Sequence, residues 1–316
     1  PGAALHGSAR APRPDPGLRR PLTRAVLRWY GRNGRTLPWR NIRNPYRILL
    51  AEVMLQQTRV RRVLEKYPLF LRRFPTLRSL ARAPLREAVI AWRGMGYNRR
   101  VVHLHRSARI VTGRHGGRIP RSRRELLLLP GIGPCTADAV RNAAFGERAP
   151  VLDVNVRRVL SRILGRMPAT ASLLPPGEAE ALAHRLLPRG REYDWNQALM
   201  DLGALLCTAS APSCVPCPAA RLCLSRTGMR PGGLRPRRRE PSRNGVPDRI
   251  HRGRIVEELR RLPARATVPL EELGRRILPG FRREDRAWLH GVLRSLERDG
   301  LALLARRQGK TGVSLA

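Results

Sequence analysis

Residues 129–156 read LPGIGPCTADAVRNAAFGERAPVLDVNV. Pro130-Gly131-Ile132-Gly133 spells a tight turn whose glycines leave backbone N–H groups bare ahead of an Ala-rich helix, Thr136 to about Phe145. A helix N-terminus carries roughly half a positive charge together with unpaired amides, so it seats a phosphate well. The same spelling also suits an ordinary turn between two helices. Further on, Asp153 is a lone carboxylate inside the apolar run Val151-Leu152-Asp153-Val154. A phosphate seat followed by a carboxylate in apolar surroundings suggests a protein that holds a nucleic-acid backbone and does chemistry beside it.

The composition points the same way. Lys and Arg number 63 against 23 Asp and Glu, a formal net charge of +40, and Lys occurs only at positions 66 and 310. Such an excess calls for a polyanionic partner, most simply nucleic acid. The codon bias of a GC-rich genome would explain Arg in place of Lys, but not the scarcity of acids. At 316 residues the chain can bury at least one sizeable core and is expected to hold two domains plus tails. No stretch approaches the roughly eighteen apolar residues that a membrane helix requires. The opening PGAALHGSARAPRPDPGLRRP has no apolar core ahead of a cleavage site, so residues 1–20 read as a disordered basic tail and the expected location is cytoplasmic.

Helical spacing dominates most of the remainder. Apolar positions predict helices at 21–37, at 47–67, through 68–82, 84–93 and 98–115, then again to Ile163, at 178–187 and at 195–206. Almost no alternating pattern precedes residue 300, so residues 21–228 are expected to be all-α. The Pro/Gly/Arg-rich 229–248 reads as a flexible basic linker. In 249–316, three short helices followed by two strands outline a winged helix-turn-helix; a small helical packing domain is the alternative.

The cysteines carry the strongest chemical signal. Cys207, Cys214, Cys217 and Cys223 are spaced C-x6-C-x2-C-x5-C within one short loop, and Cys135 stands apart. A disulfide framework does not suit a cytoplasmic chain. Structural zinc usually takes two close Cys pairs separated by a longer span. One C-x-x-C flanked by a thiolate on each side would let a compact loop wrap a cubane cluster. Spacing alone leaves cluster and zinc both open.

Glu52 lies on a predicted helix among Ile48, Leu49, Val53 and Leu55, where desolvation would raise its carboxyl toward the range of a general acid. Asp153 would be its ionised partner, and two carboxyls in unlike environments suit hydrolysis of a glycosidic bond. The plain readings are that Glu52 is a helix-edge surface residue and that Asp153 is an N-cap. Lysine is scarce, with Lys66 on a charged helix flank and Lys310 near the end. Schiff-base chemistry therefore lacks an obvious amine, and attack by water is the natural alternative.

Taken together, Pro38-Trp39-Arg40, AEVMLQQT (51–58), GMGY (94–97), LPGIGPCTADAV (129–140), VLDVNVRRVL (151–160), WNQALMDLGALLCT (195–208) and the cysteine loop resemble the helix-hairpin-helix DNA glycosylases. Within that superfamily they are most similar to the A/G-specific adenine glycosylases, over roughly residues 21–226. The resemblance implies two helical subdomains with an active cleft between them, a 4Fe–4S cluster on the four cysteines, and double-stranded DNA carrying a mismatched or oxidised pair as partner. It implies that Glu52 protonates adenine at N7 and that Asp153 stabilises the sugar cation, with Asn155 as polar helper. Trp39, Arg40, Leu55 and Gln197 would line the base pocket. Gln57 and Tyr97 would fill the gap in the duplex, while Gly131, Gly133 and Thr136 would grip the backbone. Cys135 stands where strand-cutting relatives carry Lys, which favours a simple glycosylase; separately, the protein is expected to act as a single chain. Residues 249–316 are too short and too helical for the Nudix-like domain of many adenine glycosylases and look more like the winged-helix tail of short bacterial members.

Overall fold

The computed structural model describes residues 16–164, 173–227, 240–307 and 310–316. By packing, the chain divides into two units. One comprises the chain up to Arg40 and Asp138–Pro236, the other Asn41–Ala137 and Arg237–Ala316.

In the first unit, α1 (Pro16–Asn33), α9 (Val154–Ile163), α10 (Pro176–Leu186) and α11 (Glu192–Leu205) enclose an apolar core. Leu22 and Val26 of α1, Val159 and Leu160 of α9, Leu182 of α10, and Trp195 and Leu199 of α11 are all buried in it. Helix α1 begins at Pro16, inside the stretch expected to be a disordered tail. Leu18 lies one turn before Leu22 and packs against the same core, which draws this turn into the helix. Residues 1–15 of the expected tail lie outside the described residues.

The second unit holds α2 (Pro45–Leu55), α3 (Val60–Arg73), α4 (Leu77–Arg82), α5 (Leu85–Ala91), α6 (Arg99–Arg114) and α7 (Arg123–Leu127). Helix α8 (Pro134–Phe145) starts in this unit and ends in the other. Asn44 caps α2 by accepting from the Arg47 N–H, with Pro45 preset for the first turn. Thr76 and Ser79 form a capping box at α4.

The single helix expected over 47–67 is two helices, broken at Gln56–Arg59. Gln57 sits in the left-handed region at φ 55°, and the Arg100 side chain takes the carbonyls of Val53, Met54 and Gln56. A tertiary hydrogen-bond donor thus replaces the helix continuation that local propensity favours.

The C-terminal part belongs to the same unit. It contains α12 (Asp248–Arg261), α13 (Leu270–Ile277), α14 (Arg286–Arg298) and an antiparallel sheet ordered β3 (Val268–Pro269), β5 (Lys310–Leu315), β4 (Ala302–Arg307). Three helices with a terminal hairpin is the winged-helix outline that the sequence predicted. The expected linker is shorter at its C-terminal end. Residues 242–247 form a hairpin of β1 (Ser242–Arg243) and β2 (Val246–Pro247). Its turn is Asn244-Gly245, at φ 51° and 72°, the pairing that a two-residue hairpin favours. Residues 228–239 lie outside the described residues.

Candidate active site

Glu52 stands half-buried near the end of α2, between buried Ala51 and Val53, with Leu55 also half-buried one turn on. Beyond them the chain turns through Gln56-Gln57-Thr58. The Gln56 side-chain amide donates to the Gly131 carbonyl and the Thr136 hydroxyl, both at 3.3 Å. It thereby fastens the end of α2 to the glycine turn. Gly131 lies at φ 77°, and a Cβ there would fall 2.8 Å from the Cβ of His103, so a side chain is excluded on two counts. A Cβ on Gly133 would meet nothing within 4 Å among the described residues, and Gly133 is exposed. Thr136 is buried, and its hydroxyl accepts from Gln56.

Arg100 on α6 joins the pieces and was not singled out from sequence. One terminal nitrogen donates to the carbonyls of Val53 (2.9 Å), Met54 (2.8 Å) and Gln56. The other donates to the Thr58 hydroxyl (2.9 Å) and the carbonyls of Met95 (3.1 Å) and Gly96 (3.2 Å). The guanidinium also lies over the rings of Trp92 and Tyr97. Burial pushes it down to about 10, still well above neutrality, so it stays charged among carbonyl dipoles. Gln57 and Tyr97, the two expected wedges, are both exposed and both left-handed, at φ 55° and 43°. They line one cavity of about 590 Å³ together with Arg99, His103 and residues of α12 and α14.

In the other unit, Asp153 is the N-cap of α9, as its plain reading expected. One carboxylate oxygen accepts from the Val156 N–H at 2.7 Å and the other from the Asn155 side-chain amide at 2.9 Å. The Asn155 side-chain oxygen accepts from Arg158, which also donates to the backbone carbonyls of Gly203 and Cys207. A Cβ on Gly203 would come within 2.8 Å of Asn155, so α11 approaches α9 closely at that point.

Of the expected base-pocket residues, Trp39 is buried, Gln197 is half-buried on α11, and Arg40 is committed elsewhere. Its two terminal nitrogens grip Asp201 at 2.8 and 2.7 Å, and one of them also reaches the Arg35 carbonyl. The Nε of Arg40 is buried and has no hydrogen-bond partner among the described residues. Asp201 is fully buried. Burial opposes its charge, but hydrogen bonds from Arg40 and Arg35 outweigh that and hold the carboxyl below its usual range.

The four loop cysteines line one cavity of about 20 Å³ with Pro212, Ala220 and Arg226. Arg162 of α9 donates to the Cys207 sulfur and to the carbonyls of Cys207, Thr208 and Ala209. The Cys223 thiol in turn faces the Arg162 carbonyl. Burial, then the crowding of its sister thiols, pushes Cys217 up to about 11. Among the described residues, no group of three or more His, Cys, Asp or Glu stands close enough to grip a single metal ion.

The adenine DNA glycosylase of Mycobacterium tuberculosis is 41% identical over 238 residues, 74% of this chain and 77% of that one. The chain belongs to the adenine DNA glycosylases. Residues 50–175 match the family described as HhH-GPD superfamily base excision DNA repair protein. Among solved structures, a thermostable thymine-DNA glycosylase is similar at 31% identity and a TM-score of 0.63, covering 67% of this chain and 97% of that one. A trapped endonuclease III–DNA covalent intermediate is similar at 25% identity and a TM-score of 0.57, covering 67% and 96%. In this glycosylase Glu52 and Leu55 belong to one packing unit, and Asp153, Asn155, Trp39, Arg40, Gln197 and the four cysteines to the other.

Proposed function

We propose that the protein removes adenine mispaired with 8-oxoguanine or guanine by hydrolysing its N-glycosidic bond, as the first step of base excision repair, without cutting the strand. Membership of the adenine glycosylases is the observation that carries this reading. Glu52 gives a proton to adenine N7, the bond between C1′ and N9 breaks with its electron pair leaving on the base, and Asp153 faces the resulting sugar cation as a carboxylate. Water then adds at C1′ and returns a proton to Glu52. The Val156 N–H and the Asn155–Arg158 relay support this by holding one oxygen each of the Asp153 carboxylate.

Trp39, Leu55 and Gln197 are the residues assigned to the base, and Arg40, assigned with them, is held by Asp201. Gln57 and Tyr97 enter the duplex, and the amides around Gly131 and Gly133 take a phosphate. Both roles suit exposed positions with open backbone. Extrusion costs a few kcal/mol of unstacking, which the wedges and the phosphate grip offset. Cys135 cannot form a Schiff base, which supports hydrolysis alone.

The four cysteines hold a 4Fe–4S cluster. Four soft thiols lining one cavity fit it by donor chemistry. When bound, the cluster supplies a cross-link that closes residues 207–223 into a rigid loop. Purified protein should be brown, absorbing near about 400 nm.

The test of substrate is an incubation of the full chain with duplexes bearing A opposite 8-oxoguanine, T opposite G and U opposite G, followed by alkali. Cleavage at A alone is expected. Cleavage at T or U instead would make the protein a pyrimidine mismatch glycosylase. Breaks that appear without alkali would contradict the hydrolytic assignment.

A further inference from the structure

The C-terminal domain grips both flanks of the loop that carries Tyr97. On the near side of that loop, Arg260 of α12 donates from Nε to the Val89 carbonyl in α5 at 3.0 Å. On the far side the same guanidinium donates from Nη2 to the Asn98 side-chain oxygen, immediately after Tyr97, at 2.9 Å. Its third nitrogen reaches Glu257 at 3.1 Å, and the side chain is 5% exposed. Around this fork, Glu257 pairs with Arg93 and the Leu262 carbonyl accepts from Arg86. Asp299, at the end of α14, pairs with Arg99 at 3.4 Å. Gly300 sits so close to α6 that a Cβ would meet the Arg106 guanidinium at 2.7 Å.

Residues 86, 89, 93, 98, 99 and 106 are thus all engaged from the C-terminal domain. Between residues 93 and 98 lie only Gly94, Met95, Gly96 and Tyr97, and the last is a non-glycine residue at φ 43°. A left-handed tyrosine costs on the order of 1 kcal/mol or more and persists only where its surroundings hold it.

We propose that the C-terminal domain is a brace for the wedge loop, with Arg260 as the positioning residue that holds Tyr97 ready before DNA arrives. This rests on the reading of Tyr97 as a wedge. A wedge already in place gives back part of the unstacking cost as soon as the base leaves the helix, whereas a slack loop must first be ordered. Arg260 acts through Asn98 and touches neither base nor sugar. Its contribution belongs to extrusion and not to bond cleavage.

The brace predicts a dependence on how the adenine is presented. In the full chain, Arg260→Met should slow single-turnover excision from a stacked A·G duplex by about tenfold. It should leave excision of an adenine already unstacked in a bulge within about twofold. Asn98→Ala, which changes only the acceptor, should show the same split, and the double variant should be no worse than either single one. Independently of chemistry, Arg260→Met should speed amide hydrogen exchange across residues 94–98 by about tenfold or more.

Equal loss on both substrates, or additive losses, would make Arg260 a general structural residue and overturn the proposal. So would unchanged exchange in the loop. If wild-type protein leaves adenine intact in every duplex, the glycosylase reading fails, and the exchange measurement still decides the brace.

Discussion

Arg100 spends its whole donor set on carbonyls and one hydroxyl, from the end of α2 on one side to the Met95–Gly96 turn on the other. Replacing it with Met would leave several buried carbonyls without donors, at about 1–3 kcal/mol for the first of them. Arg100→Met should therefore lose about 3 kcal/mol of stability by denaturant unfolding, and Arg100→Lys should recover less than half because an ammonium lacks the planar fork. Asp201 gives a pH prediction. Its folded-state carboxyl lies below the ordinary value of 3.8, so its stabilisation is complete above that value and is lost as pH falls through the lower, folded one. Asp201→Asn should melt well below wild type at pH 7, and the gap should narrow below about pH 4 in a melting series. Neither residue was legible beforehand. Arginine is so abundant in this chain that a buried one carries no mark in the sequence, and Asp201 looks like any polar position on α11. Glu52 and Asp153 did stand out, because a lone acid in an apolar run is uncommon.

At the scale of single elements, α9 links two sites read separately from the sequence. Asp153 caps its start, while Arg158 and Arg162, farther along, reach the carbonyls of the cysteine loop. Arg158→Met should lower excision of stacked and bulged adenine alike by about tenfold, in contrast to Arg260→Met, because it loosens Asn155 and hence the Asp153 carboxylate, proposed to face the sugar cation. Arg162→Met should lower the absorbance near about 400 nm per mole of purified chain, since the loop loses the donor that holds Cys207 through Ala209. Helix positions were largely readable from apolar spacing, and the cysteine loop from its spelling. The break between α2 and α3 was not, because Gln56-Gln57-Thr58 contains no breaker and the turn is imposed by a residue on α6. The β1–β2 hairpin was passed over within a basic stretch, although Asn244-Gly245 spells its turn.

For the whole molecule, the net charge of +40 sets how the protein meets DNA. Log affinity for duplex should fall linearly with log salt, and six or more phosphate contacts imply a loss on the order of a thousandfold between 50 and 200 mM. A titration by fluorescence anisotropy checks the slope, and a shallow one would mean that most of the charge lies off the binding face. Proton donation by Glu52 is read out by Glu52→Gln in single-turnover excision of adenine opposite 8-oxoguanine, alongside duplex affinity. Abasic product should vanish while affinity stays within about threefold of wild type, because the amide keeps the shape and loses the proton. A Glu52→Gln protein that still released adenine at the wild-type rate would rule out Glu52 as the proton donor.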